Sequence, residues 1–239
     1  MLKTNVHHSI LGLALFLTLF GNIKSQEYVA AIWGITVGTA ELEQIADNEI
    51  SFKLKSNEFI DYVFTIDLDY YSKFDKINYT IIKNKKTTEL GTEKQKYEAI
   101  LDDNNVLVYN DQDSISLETN ILSLLSLIVK FINSSVDSID TKWFDLENEG
   151  ILYKARFLWN DTTTISVKNK DILCDHYRID FKIVNDDNKI FEKTDYFNEL
   201  FFDINSIRQI WVEKWQKQQR IIRITIKNNL INLSLMIKS

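Results

Sequence analysis

The residues that could do chemistry are few. The chain has one cysteine, Cys174, and three histidines, of which His7 and His8 lie in the first ten residues. Cys174 and His176 are two apart in CDHYRIDFKI, which puts both on one face of an extended segment. Such a pair could serve as nucleophile and base, or give two ligands to a metal. A metal would need two further ligands, and none is identified, so Cys174 and His176 are weak metal candidates only. The plainer reading is a half-buried Cys beside a His at the start of a strand. A Ser-His-Asp triad would have to use His176, and no nucleophile elbow supports one. Asp67 and Asp69 share a strand face about 7 Å apart by strand rise. Glu147 and Glu149 do the same if their segment is extended. A glycosidase pair needs roughly that spacing, but acids alternating with apolar residues are also what a solvated sheet face looks like, and that reading is preferred. There is no phosphate loop, dinucleotide fingerprint or Cys/His cluster. The expectation is a protein without catalytic residues or cofactor, and not an enzyme.

The aromatic residues say more. Tyr153, Phe157 and Trp159 share one face of a strand. Trp211 and Trp215 share a face if their strand runs through both. Trp33 lies on the face opposite Ile32 and is expected to anchor a core. On the concave side of a curved sheet such residues could line a site for an apolar ligand; the alternative is ordinary core packing, which aromatics dominate.

The elements that must position them are strands. ISFKLKS places Ile50, Phe52 and Leu54 on one face and Ser51, Lys53 and Lys55 on the other. IDYVFTIDLDY, YRIDFKI, IIRITIK and LINLSLMI repeat the alternation, the mark of half-buried strands. Weaker strands are expected at 79–83, 94–101, 105–109, 151–159 and 163–168. Asn/Asp-rich turns separate them at 102–105, 160–162, 168–171, 185–188 and 227–229. One segment differs. SLETNILSLLSLIVKFI, residues 116–132, has Leu117, Ile121, Leu124, Leu125 and Ile128 at helical spacing, with a cap region at Ser116. It predicts one helix, apolar on most sides and therefore buried. The fold class is all-β, mainly antiparallel: a large curved sheet or an open half-barrel around that helix.

Residues 1–25 read as a secretory signal peptide. Lys3 supplies the positive start, ILGLALFLTLF (Ile10 to Phe20) the apolar stretch, and Ser25 the small residue at the cleavage position. The stretch is far short of the roughly 20 residues that span a bilayer, and no other run reaches that length. Residues 26–239 then form a single β-rich domain. With 45% hydrophobic and 26% charged residues it has material for a sizeable core. A net charge of −6, made more negative by loss of Lys3 and Lys24, argues against nucleic acid. One cysteine excludes an internal disulfide.

Four stretches together resemble the exported bacterial proteins of the domain-of-unknown-function 3108 family: WGITVGTAEL (Trp33 to Leu42), DYYSKFDKINY (Asp69 to Tyr79), FDLENEGILYKARFLW (Phe144 to Trp159), and the ending from Ile207 to Leu235. Where the family tends to have a Pro entering the penultimate strand, this chain has Ile221 and Ile222. The resemblance implies a curved, open-barrel-like β protein of the bacterial envelope and carries over no activity and no catalytic residue; the export signal by itself leaves the periplasm, the cell envelope or the exterior as the expected location. The functional expectation is a non-catalytic envelope protein that binds an apolar or lipid-like ligand in the concavity of its sheet. The alternative is a structural module that binds an envelope protein and no small molecule.

Overall fold

The structure is a computed structural model and describes residues 24–187, 189–191, 194–214 and 219–238. Fourteen strands form one antiparallel sheet: β1 Lys24–Ile32, β2 Ile35–Ala46, β3 Glu49–Ser56, β4 Ile66–Phe74, β5 Ile81–Leu90, β6 Glu93–Leu101, β7 Val106–Tyr109, β8 Asp113–Ser116, β9 Trp143–Asn148, β10 Ile151–Val167, β11 Lys170–Asn185, β12 Ile207–Glu213, β13 Ile221–Lys227 and β14 Asn232–Ile237. Among the described residues four helices interrupt the order: α1 Glu58–Asp61, α2 Leu124–Ile132, α3 Val136–Ile139 and α4 Tyr196–Phe202. The chain is a set of meanders whose first and last strands pair, so the sheet order runs β8 to β1, then β14 down to β9. The expected all-β antiparallel class is the one observed, and the sheet is open.

The curl comes from bulges, each an extra residue that bends its strand. Val37 is extra between β1 and β2, and Asn160 between β10 and β11. The bulge at Asn160 corrects the expectation of a turn at 160–162: β10 runs straight through it. Gly38 lies beside the first bulge, where β2 and β3 approach so closely that a Cβ would sit 2.0 Å from the Lys55 carbonyl oxygen. The β1–β2 turn is Trp33 and Gly34, both at positive φ (53° and 81°), the two-residue geometry that suits the strand twist.

Trp33 is therefore not a core anchor. It sits at a turn tip and is 55% exposed. A second correction concerns residues 60–65. Asn57 accepts a hydrogen bond from the Ile60 amide at 3.0 Å and starts α1, so the chain turns where alternation predicted a strand. Phe59, Tyr62 and Val63 are exposed as a result.

The buried helix exists but is shorter than the expected 116–132. Ser116 ends β8, and α2 starts only after Ser123, which forms a reciprocal capping box with Ser126. Between them the chain turns at Thr119 and Asn120, the latter at positive φ. The Leu122 amide donates to the Asp145 carbonyl and the Leu122 carbonyl accepts from Glu147, both at 2.9 Å, covering the free edge of β9.

Two apolar clusters fill the molecule. The larger lies inside the curl, where α2 and α4 pack on the concave faces of β1–β4 and β10–β14; Phe131 stacks on Phe157 with centroids 4.0 Å apart. The smaller joins the inner faces of β5–β8 to Leu152, Ile190 and Phe191. Tyr153 belongs to the first cluster and its neighbour Leu152, on the opposite face, packs on the second. β10 is thus covered on both sides, and the β5–β8 end of the sheet laps over the outer side of β9–β10.

Candidate functional site

The structure separates the residues that the sequence singled out. Tyr153 and Phe157 are buried in the main core and contact α4 and α2, and Tyr153 also borders a surface cleft of about 600 Å³. Trp159, beside the bulge, is half-exposed. Trp211 is on the outer face, stacked on His176 at 4.4 Å and under the Arg223 guanidinium at 5.1 Å. Trp215 lies outside the described residues.

Cys174 and His176 do not form a working pair. The Cys174 thiol donates to the Ile172 carbonyl at 3.5 Å, and burial pushes it up to about 11. The His176 ring is held by Asp161 at 3.1 Å and by the Gln209 amide at 3.0 Å. Among the described residues no group of three or more His, Cys, Asp or Glu could hold a metal. Asp67 is solvated and paired with Lys55 at 3.1 Å, and Asp69 is exposed, as expected of an outer face.

Glu147 and Glu149 depart from that expectation. Both are buried, at 1% and 3% exposure, in the seam where the sheet overlaps itself. β9 carries Glu147; Glu149, at positive φ, begins the turn into β10. Lys86 reaches the same seam from the inner face of β5. Its ammonium bonds Glu149, lies 2.6 Å from Asp195 and donates to Thr194 at 3.1 Å. The rings of Tyr70 and Tyr97 flank it at 5.9 and 5.8 Å. Asp195 also caps α4 by accepting from the Asn198 amide at 2.9 Å. The other end of α4 is held by buried Arg208, which donates to the carbonyls of Phe201, Asp203 and Ser206. Of these, the Phe201 carbonyl belongs to the last turn of α4, whose acceptors have no partner within the helix.

Tyr109, on β7, donates to Glu147, as does the Gly150 amide at 2.7 Å. Burial dominates even so, and pushes the Glu147 carboxyl up to about 7. Burial, reinforced by the neighbouring carboxylates, also drives the phenols of Tyr70, Tyr97 and Tyr109 well above the ordinary tyrosine range. Two cavities of about 80 Å³ each adjoin these elements. The inner one is bordered by Glu147, Asn84, Phe52 and Ile128. The other lies at the end of the sheet that carries the Trp33–Gly34 turn. Only apolar and aromatic side chains line it, among them Val37, Leu54, Leu68, Leu200 and Leu233. Phe64 and Tyr196, in edge contact at 6.5 Å, border it as well.

The rim at that end is apolar. Trp33, Ile35, Phe59, Tyr62, Tyr196 and Leu230 are all more than half exposed. Their loops touch: Asn57 donates to the Thr36 carbonyl at 3.1 Å, and the Trp33 amide to the Asn232 carbonyl at 2.9 Å. An exposed apolar group of this kind marks a contact surface more often than a random surface does. No motif announced it, since its residues come from four separate turns.

Open curl, helix-filled core and self-overlapping seam define a β-barrel-like protein. Among solved structures, the chain is similar to a β-barrel-like protein of domain of unknown function 1849 from Brucella abortus. That likeness has a TM-score of 0.57 at 8% identity, over 90% of this chain and 95% of the other. It shows the fold. The hypothetical lipoprotein YmcC from Escherichia coli aligns over 100% of this chain and 99% of its own at 8% identity, with a TM-score of 0.34. No family model matches the chain, and no curated protein is similar to it in sequence.

Proposed function

We propose that the protein is an exported, non-catalytic binding protein of the bacterial envelope that takes the acyl chain of a membrane lipid at the apolar end of its sheet. The observation that carries this reading is the pocket bordered by Phe64 and Tyr196, lined without polar side chains and surrounded by exposed Trp33, Phe59, Tyr62 and Leu230. Amphipathic aromatics favour the boundary between water and lipid, and a dry pocket behind them offers an acyl chain a place to leave it. The concavity first expected to hold the ligand is largely occupied by α2 and α4. Export is read from residues 1–25, nearly all outside the described residues. Gln26, the first residue after the expected cleavage, accepts hydrogen bonds from the Ile221 amide at 2.9 Å and the Tyr28 hydroxyl at 3.1 Å, so a chain starting there keeps its anchor to β13.

The reading is tested with a dansyl-labelled fatty acid. Wild-type protein is expected to enhance its fluorescence and to release it to oleate. Ile231→Trp, which fills the pocket from its partly exposed wall, is expected to weaken binding at least tenfold. Purified protein that carries no lipid by mass spectrometry and ignores the probe would sink the reading.

A further inference from the structure

The inner cavity differs in kind from the acyl pocket. Its walls are mostly apolar, from Leu42, Phe52, Ile128, Ile224 and Leu235, but polar side chains, Glu147 and Asn84 among them, also line it. There Glu147 Oε2 and Asn84 Oδ1 are buried, and among the described residues neither has a hydrogen-bond partner. Such orphans are uncommon in native interiors and call for a partner. Asn84 Oδ1 is an acceptor, and so is Glu147 Oε2 when its carboxyl is ionised; in that state the partner must donate. The charges point the same way. Glu147, Glu149 and Asp195 meet in the seam, and the ammonium that the described residues place in contact with two of them is Lys86, which donates to Glu149 and Thr194 and is ion-paired with Asp195. Glu147 is left with neutral donors alone, Tyr109 and the Gly150 amide, both on Oε1. Asn148 and Asn198 line both this cavity and a wider surface cleft of about 600 Å³, so the two are neighbours.

We propose that this cavity is a binding site for a small amphipathic organic cation, a primary ammonium on a short apolar body. The ammonium meets Glu147 Oε2 and Asn84 Oδ1, and the body lies against Phe52, Ile128 and Ile224. The site is separate from the acyl pocket and does not depend on it. Binding requires the Glu147 carboxylate, so it weakens as that group takes up its proton. The groups facing Glu147 are Tyr109 from β7, Tyr97 from β6, and Glu149 and Tyr153 from the β9–β10 turn and β10; Lys86 and Asp195 complete the cluster. Of these, Glu147 is the one moved to about 7.

The experiment uses n-butylammonium, with n-butanol and butyrate as controls, at constant ionic strength. Calorimetric titration of the wild-type protein is expected to show butylammonium binding at least tenfold more tightly than either control. Its affinity is expected to fall about tenfold from pH 8 to pH 6, as one carboxylate with a midpoint near 7 requires. Glu147→Gln is expected to abolish the preference for the ammonium. Equal binding of butanol would show apolar filling alone, and no binding would show a cavity satisfied by water; either overturns the proposal. Should Glu147→Gln fail to fold, the pH profile of the wild-type protein decides: a flat one overturns the proposal, and the expected fall upholds it.

Discussion

At the scale of the residue, burial decides what the charged groups do. Glu147 ordinarily titrates near 4.5 and is pushed up to about 7 in the folded chain. Between those values the folded state holds a proton that the unfolded state has lost. Stability should therefore decrease as pH rises through that window and level off above it, at no more than about 1.4 kcal/mol per pH unit. Glu49, Asp75, Asp102 and Asp203 work in the other direction and lower down. Hydrogen bonds, from Lys73 to the first and from backbone amides to the rest, hold them below the ordinary carboxylate range. Their contribution is lost as pH falls through their folded values. Urea denaturation of the wild type from pH 5 to pH 7 is expected to show declining stability, and Glu147→Gln to show a flat profile. A flat wild-type profile would count against a neutral, buried Glu147. Little of this was legible in the sequence. Lys86 lies in IIKNKKTTEL, polar on both faces of the strand, so no alternation distinguishes it from Lys83 and Lys85. Only the register of β5 turns Asn84, Lys86 and Thr88 inward. Glu147 and Glu149 were visible as a pair, but what buries them is a stretch of sheet more than thirty residues earlier in the chain.

At the scale of the element, local pattern succeeded where a strand or helix is sorted by its own faces. It failed where distant backbone takes over. ISFKLKS and YRIDFKI are strands, and Ile50, Phe52, Leu54, Tyr177 and Ile179 are buried as alternation predicts, while Ile183 is exposed and Ser51 buried. The helix is the instructive case. Two caps stand against each other: Ser116, which the spacing suggested, and Ser123 with Ser126, which the folded chain forms. The second is used because Ile121 and Leu122 spend their backbone groups elsewhere, on the Ile81 amide and on β9. Positive φ at Asn120 accommodates the change of direction. Ser123 also bonds Ser72 of β4 at 2.7 Å, so it fixes the helix start to the sheet. Ser123→Ala is expected to cost about 1–2 kcal/mol through the cap, read as a lower urea midpoint with an unchanged slope. A wild-type midpoint would mean that the tertiary contacts of α2 alone hold its first turn.

At the scale of the whole molecule, one sheet does the work of two layers by overlapping itself. The β1–β4 and β10–β14 faces enclose the helices, and β5–β8 close over the outside of β9–β10 through a smaller core. That second closure relies on few contacts between strand ladders. Tyr109 to Glu147 and Lys86 to Glu149 are polar ties across it, and Lys86 to Asp195 extends them to α4. A buried ion pair adds little stability over apolar packing, but removing one member leaves the other charged and dry, at about 3–5 kcal/mol. Lys86→Met should therefore loosen the overlap before the rest of the sheet. Hydrogen exchange by mass spectrometry is expected to speed up in β7 and β8, residues 106–116, and at the start of α4. β12 to β14, which pair with β1 and β11, should keep their protection. Glu149→Gln in the Lys86→Met background should recover part of the protection, since it removes one of the stranded charges. Uniform loss across all fourteen strands would instead make the sheet a single cooperative unit, with the seam as strong as any ladder within it.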